Sequence, residues 1–511
     1  MRKLLLSLIS LIICMLMLCS CVYEPDTVKE VDVSGDAADK TTQSVDLMAN
    51  EIVPEGNTAN IMRPMSGQSD EQAEAMRSKI LNAEDNLNIT GTKYYVSSKN
   101  GNDENDGLTP ETAWATTDAL SVNTWKMQKG DAVLFERGCV FRLSSQIFCK
   151  EGVSYGAYGE GNKPALYGSP QNYSKAGYWQ PSKKKNVWKL SLPLLDAGIV
   201  VFNHGEAVGY KQPGLLNLTK NGDFYHNSTD NILYLYLDKG RPNQVYEDIE
   251  IGTKCAIFTI NSEISDVTID NICMKYAGNF GVQAIGFHDN ITVTNCEIGW
   301  IGGSYQTAGL TNRYGNGIQF WDNASNTTVE NCWVYQCYDT GITFQGSYYA
   351  VYDNVKFINN LLEYHSMSIE LWNQKRENYH TEPDGDMRNI EISGNICRFA
   401  GYGWGDQRYN PSVTCHIAGG AQYQYFISSM NVCNNIFDLS THALIIWGHH
   451  GDSPKEPDIN LSGNTYYQGA GKTKDILSMP GYGWLSATNQ SEFSSIVSQI
   501  DSSPKEVKWI S

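Results

Sequence analysis

The chain of 511 residues predicts an all-β fold, a solenoid of the parallel β-helix type, on three observations. A short motif recurs: alternating apolar residues, then Asn, then another apolar run. It reads VTIDNICM from Val267, ITVTNCEI from Ile291, TTVENCWV from Thr327, VKFINNLL from Val355, IEISGNIC from Ile390, MNVCNNIF from Met430 and INLSGNTY from Ile459. The starts lie 24, 36, 28, 35, 40 and 29 residues apart, a loose period that marks one supersecondary unit per repeat. Such units are too short for four-stranded propeller blades, and no helical periodicity separates them as βαβ units would require. Coils of this kind stack at about 4.8 Å, and the recurring Asn should form a ladder of amides in a turn, a scaffold feature.

The N-terminus, MRKLLLSLISLIICMLMLCSC, has two cations, an apolar run and small residues before a cysteine, the pattern of a secretory signal over residues 1–21. Leu18, Cys19, Ser20 and Cys21 resemble a bacterial lipobox. That implies cleavage before Cys21 and a lipid on its sulfur, which would anchor the protein outside the cytoplasm, at the cell surface or the periplasmic face of a membrane. No later segment is apolar for long enough to cross a bilayer. Residues 22–91 are polar and poor in aromatics, a composition that predicts a flexible tether. A short helix is expected over 69–82, where Ser69 and Gln72 form a capping-box pattern. Residues 92–265 should open the β-helix, 266–480 should carry its cleft, and 481–511 should cap it, with a helix near Ser491 to Ile500 covering the last coil.

The formal net charge of −18 argues against a nucleic-acid partner, and a polyanion would need a local cationic patch or a bound metal. Of thirteen cysteines, three (Cys14, Cys19 and Cys21) lie in the signal. The remainder show no CxxC pairs and fall mostly in strand-like runs, so buried free thiols are expected, and a bridge between Cys139 and Cys149 is not. A monomer is expected.

Three stretches, YYVSSKNGNDENDGLTPETAW, KGDAVLFERGCVFR and YGAYGEGNKP, resemble the opening of the pectate-lyase-like superfamily of right-handed parallel β-helix proteins. GDFYHNSTDNILYLYLDKGRPN, CEIGWIGG, RYGNGIQFW and YDTGITFQG resemble its polysaccharide-degrading members, with glycosidase or lyase activity. The likeness covers nearly everything after Thr92 and implies a polysaccharide substrate, without assigning a particular carbohydrate-active family.

The second strand of each coil can be laid over the next by its apolar residues: Ile318 and Phe320, Ile342 and Phe344, Ile369 and Leu371, Cys415 and Ile417, Leu444 and Ile446. Alternation then makes one outward column of Gln319, Thr343 and Glu370, followed by Thr414 or His416. The neighbouring column reads Trp321, Gln345, Trp372, then His416 or Gly419, then Trp447. Indoles pack on the C–H face of a sugar ring while amides and acids bond its hydroxyls, so this face is the candidate binding surface. Aligning the turns RYGN, CYDT and YHSM adds Arg313, Tyr314, Tyr338, Asp339, Tyr364 and His365 along one edge. Of these, Arg313, Tyr338 and His365 are expected to touch substrate. Two insertions carrying His380, Trp404, Asp406 and Arg408 read as cleft walls.

Glycoside hydrolysis needs a protonated carboxyl for the leaving oxygen and an ionised one that attacks or activates water. Glu370 beside an apolar indole suits the acid, and Asp339 in a polar turn suits the second role. Their Cα atoms should lie more than about 10 Å apart, so the side chains must converge. Asp322, Glu363, Asp406 and His416 are substitutes. The rival reaction is β-elimination on a uronate polymer, with Lys375, Lys356, Arg313 or His416 as base. Calcium enters only under that reading, no carboxylate cluster for it is evident, and no other cofactor or metal is expected. A third reading is a glycan-binding surface protein without turnover. The GHHGD stretch at 448–452 is read as a plain loop.

Overall fold

The computed structural model describes residues 64–306, 312–346, 350–373, 385–408, 414–419, 427–447, 458–469, 474–479 and 482–510. Cys21 and the signal, residues 22–63, His380, Lys375 and the GHHGD stretch lie outside the described residues.

The coils have three faces. One carries the repeat motif, as in Val351–Ile358, Ile390–Ser393, Met430–Cys433 and Ile459–Ser462. A second carries the candidate site, as in Thr340–Gly346, Met367–Asn373, Cys415–Gly419 and Ile445–Trp447. A third runs through Trp333–Cys337, Leu361–Glu363, Ile396–Ala400 and Ile436–Ser440. Strands of successive coils pair in parallel on every face, and the protein is a right-handed parallel β-helix. Between the faces lies one continuous apolar core that runs from Tyr94 to Val497. All ten described cysteines are free, and all but Cys433 are buried.

The motif register aligns Asp270, Thr294, Glu330, Ile358, Ser393, Cys433 and Ser462. The next residue, Asn271, Asn295, Asn331, Asn359, Gly394, Asn434 or Gly463, has positive φ, the left-handed turn that Asn and Gly tolerate best. The repeat therefore merges two adjacent positions. From Asn360 onward a second amide, one residue later, points inward and forms the ladder. Asn360, Asn395 and Asn435 each donate to the amide oxygen of the next coil at 3.0, 2.9 and 3.0 Å, and Asn464 ends the row on Asp501 at 2.8 Å.

The expected short helix is Asp70–Leu81, but its surroundings differ from the sequence reading in two ways. Ser69 makes no side-chain cap; its backbone N–H and hydroxyl both donate to Asp438, at 2.8 and 2.6 Å. The described part of the segment is also no free tether. It packs on the coils, with Met65 N bonded to the Tyr364 hydroxyl at 2.9 Å and Asn86 N to Asp270 at 2.9 Å.

An elaboration of the opening region forms a five-stranded and a three-stranded sheet with a small core of their own around Trp179, Phe202 and Leu235. At the other end the helix Gln490–Ile500 buries Phe493, Ile496 and Val497 against the last coil. The strand Glu506–Ile510 then pairs in parallel with Thr465–Gly469, so this end supplies a final rung as well as a lid.

Candidate active site

The register of the site face builds one column of Gln283, Gln319, Thr343, Glu370, Ala418, Ile446 and Ser478, and beside it Ile285, Trp321, Gln345 and Trp372. Trp321 is half-buried. The strand position of Trp372 is fixed by its pairing with Gln345, but its side chain lies outside the described residues.

Beyond Glu370 the expected register is off by at least two residues. Its partner is Ala418, neither Thr414 nor His416. Ile417, Ile445 and Trp447 turn inward, so Trp447 is core and Ile446 faces out beside Ala418, Met367, Cys415 and Ala443. His416 is therefore not a groove residue. It has no exposed surface, stacks on Phe437 at 5.9 Å and shares a 3.2 Å hydrogen bond with Ser368. Burial lowers its pKa to about 3, which makes it a neutral core imidazole.

The turn alignment needs a similar correction. Tyr364 takes positive φ, and His365 falls inside the coil, where Cys337 N–H donates to its Nδ1 at 3.2 Å and Nε2 bonds Val334 O at 3.0 Å. Desolvation holds its pKa near about 3. Tyr338 is 2% exposed, tilted against Trp404 at 5.0 Å and covered by the Arg313 guanidinium at 4.4 Å. Arg313 donates to Gly303 O at 2.8 Å, to Gln407 at 3.2 Å and to Gly198 O at 3.3 Å. Arg313 and Tyr338 thus pack with Trp404 beside the turn that holds Asp339, while His365 lies within the coil. Trp404 is likewise buried, and its indole N–H donates to Gln336 O at 2.7 Å.

Asp339 and Glu370 are linked through Thr340 and Arg408. Asp339 occupies the turn between Trp333–Cys337 and Thr340–Gly346, where its N–H donates to Gly315 O at 3.1 Å and its carbonyl accepts from Ser366 and Met367 at 3.0 and 3.1 Å. Thr340 lies opposite Met367, three residues before Glu370. The Glu370 side chain reaches back along the strand, so its Oε2 accepts from the Thr340 hydroxyl at 3.2 Å and from the Gln345 amide. The acid thus rests against the residue that follows Asp339. Gln319 belongs to the same polar row: its amide oxygen accepts from Asn316 at 2.8 Å, and Asn316 in turn accepts from Thr340 N at 3.0 Å.

Glu370 is partly buried, and its pKa is raised from 4.5 to about 8. Desolvation is the main cause and the negative charge of Asp339 the second, while Arg408 and the bonds from Thr340 and Gln345 oppose them. Asp339 is held by an ion pair with Arg408, which follows the short helical turn Trp404–Gln407. The sequence shows Arg408 only as part of an insertion, and Thr340 only as a strand residue; neither spacing reveals that they meet the two acids. Among the substitutes, Glu363 is bound up in ion pairs on the third face, Asp406 is exposed, and Asp322 takes positive φ at a bend in the strand Ile318–Glu330. Among the described residues no group of three or more His, Cys, Asp or Glu is placed to hold a metal ion.

No family model matches the chain, and no curated protein matches it. Solved structures with some likeness include a complex of XylC with xylose, at 14% identity over 77% of this chain and 73% of that one, with a TM-score of 0.42. A glycoside hydrolase is 10% identical over 82% and 96% of the two chains, with a TM-score of 0.43. A hyperthermoactive exopolygalacturonase from Thermotoga maritima is 11% identical over 80% and 93%, with a TM-score of 0.38. The coil registers and parallel faces themselves give this chain a parallel β-helix architecture.

Proposed function

We propose that the protein is an exported, lipid-anchored glycoside hydrolase acting on a polysaccharide, with Glu370 as general acid and Asp339 as the ionised carboxylate. The observation that carries this reading is the contrast between two neighbouring carboxyl groups. Glu370, with a pKa of about 8, keeps its proton at neutral pH, while Asp339 faces the Arg408 cation. Both hydrogen bonds to Glu370 fall on Oε2, which leaves Oε1 to carry the proton toward a glycosidic oxygen. Asp339 then attacks the anomeric carbon or takes a proton from water. The half-buried Trp321, one strand from Gln345, offers a ring face to the sugar.

Lys375 lies outside the described residues, and the other cations offered for β-elimination stand away from the two acids. Arg313 is bonded to carbonyls in the wall, His416 is neutral core, and Lys356 lies on the motif face. Incubating the purified protein with a panel of plant and host polysaccharides separates the readings. New reducing ends without ultraviolet absorbance are expected; absorbance from an unsaturated sugar means elimination, and retention without products means a binding protein.

Arg408 gives a further test. Its charge favours the ionised form of Glu370, so Arg408→Met should lower kcat/KM and move the basic limb of its pH profile upward by about one unit. A limb that stays in place would separate Arg408 from Glu370. The anchor is tested independently: Cys21→Ser should abolish labelling by a fatty-acid probe and shift the protein from the membrane to the soluble fraction. Labelling that persists in the variant would rule out Cys21 as the acceptor.

A further inference from the structure

The turn Trp404–Gln407 delivers Arg408 to Asp339, and it lies flat on the coils. Gly403 and Gly405 allow that approach, because a Cβ at either would collide with a coil carbonyl, Tyr364 O or Tyr338 O. Trp404 fixes the entry of the turn: its indole N–H donates to Gln336 O at 2.7 Å and its backbone N–H to Gln336 Oε1 at 3.3 Å. Gln407 fixes the exit and reaches the other way. Its Nε2 donates to Gly209 O at 2.9 Å, across 198 residues of sequence, and its Oε1 accepts from Arg313 at 3.2 Å. Gly209 is the joint between the two sheets of the opening elaboration. It follows Ala207–Val208 of the three-stranded sheet, precedes Tyr210–Lys211 of the five-stranded one, and donates its N–H to Val200 O at 2.7 Å. Arg313 bonds Gly198 O in the same three-stranded sheet.

One amide with both polar ends occupied therefore joins the elaboration to the residue that precedes Arg408. The Arg408 side chain is half-buried and faces Asp339, Glu370 and Tyr338, while Glu370 is faced in turn by Asp339, Arg408 and Cys415. We infer that Gln407 is a positioning residue, and that the elaboration is a brace that holds Arg408 against Asp339. A displacement of about 1 Å at such a group can cost on the order of 10²-fold in rate. The inference rests on the hydrolase reading for its effect on turnover, but not for its effect on the ionisation of Glu370.

The experiment compares the native chain with Gln407→Leu, Arg408→Met and the double variant. Turnover is read as reducing ends released from arabinoxylan, polygalacturonate, galactomannan or arabinogalactan, whichever the native chain cleaves. Gln407→Leu keeps the bulk of the side chain and loses both bonds, so it should lower kcat about tenfold with KM within about twofold. In the Arg408→Met background it should change kcat less than about twofold, since it acts through that residue. Melting temperatures taken from pH 5 to 9 give a readout that needs no turnover. The fall caused by Glu370 should level off near pH 8 in the native chain. In Gln407→Leu it should level off about half a unit higher, because a loosened Arg408 favours the ionised acid less. The double variant should level off where Arg408→Met does. Gln407→Ser, which admits water to Gly209 O, should give the same shift and serves if the leucine variant does not fold. Equal losses of kcat in both backgrounds, or a lower melting temperature with the levelling point unmoved, would make Gln407 ordinary packing and overturn the brace. A native chain that cleaves none of the four polymers counts against the hydrolase reading and leaves the levelling point to decide the brace.

Discussion

Glu370→Gln should reduce turnover by about 10³-fold or more, since a positioned general acid contributes on the order of 10² to 10⁴ and the amide has no proton of comparable acidity to give. The fold should persist. The amide oxygen is the same size as the carboxyl oxygen it replaces and still accepts from the Thr340 hydroxyl and the Gln345 amide. Near-normal release of reducing ends from the variant would remove Glu370 from the mechanism.

The same substitution carries a pH signature in stability. The Glu370 pKa stands at about 8 in the folded chain against an ordinary value of 4.5, so folding favours the protonated form. The stabilising contribution is complete below the ordinary value and is lost as pH rises toward 8, by at most about 1.4 kcal/mol per pH unit. Melting temperatures taken from pH 5 to 8 should therefore fall more steeply for the native chain than for Glu370→Gln. Parallel slopes would mean that the carboxyl is already ionised in the folded protein at neutral pH.

The coil was legible because its constraints repeat. Each coil must reverse through a left-handed turn, so Asn or Gly returns at Asn271, Asn295, Asn331, Asn359, Gly394, Asn434 and Gly463 whatever the insertion between them. The site was legible only where alternation was unambiguous. Ile369, Glu370 and Leu371 leave one assignment of faces, and the acid is found outward as expected. Cys415, His416, Ile417 and Ala418 do not, because three of the four are apolar or thiol and the polar one lies in the core. His365 was misplaced for a related reason: Tyr364 adopts positive φ without being Gly or Asn, so no residue type announces the turn. The grip of Arg408 on Asp339 spans 69 residues and depends on how an insertion folds back, which no local pattern encodes.

Glu363→Ala should be the most damaging substitution for stability, although the sequence offers this residue as a substitute acid. Glu363 is 1% exposed and accepts from Arg398 at 3.1 Å, from Arg77 at 2.9 Å and from the Trp333 indole at 2.9 Å. Removing it leaves the Arg398 guanidinium, whose side chain is 4% exposed, with only Asp70 and, at 3.9 Å, Asp438 as carboxylate partners, and takes from Arg77 its partner on the coils. Breaking a buried pair from one side costs about 3–5 kcal/mol, far more than the pair itself contributes. The loss should be local first. Arg398 also binds Asp70, and Arg77 sits over the Trp333 ring at 4.8 Å, so the helix Asp70–Leu81 is clamped to the third face through these groups. Hydrogen exchange in that helix should accelerate well before the coils melt, because its remaining apolar contact is small. At temperatures where the coils stay folded, turnover should be little changed, since the clamp and the site occupy different faces. Intact melting with lost turnover would instead return Glu363 to the chemistry and break the assignment of Glu370 as the acid.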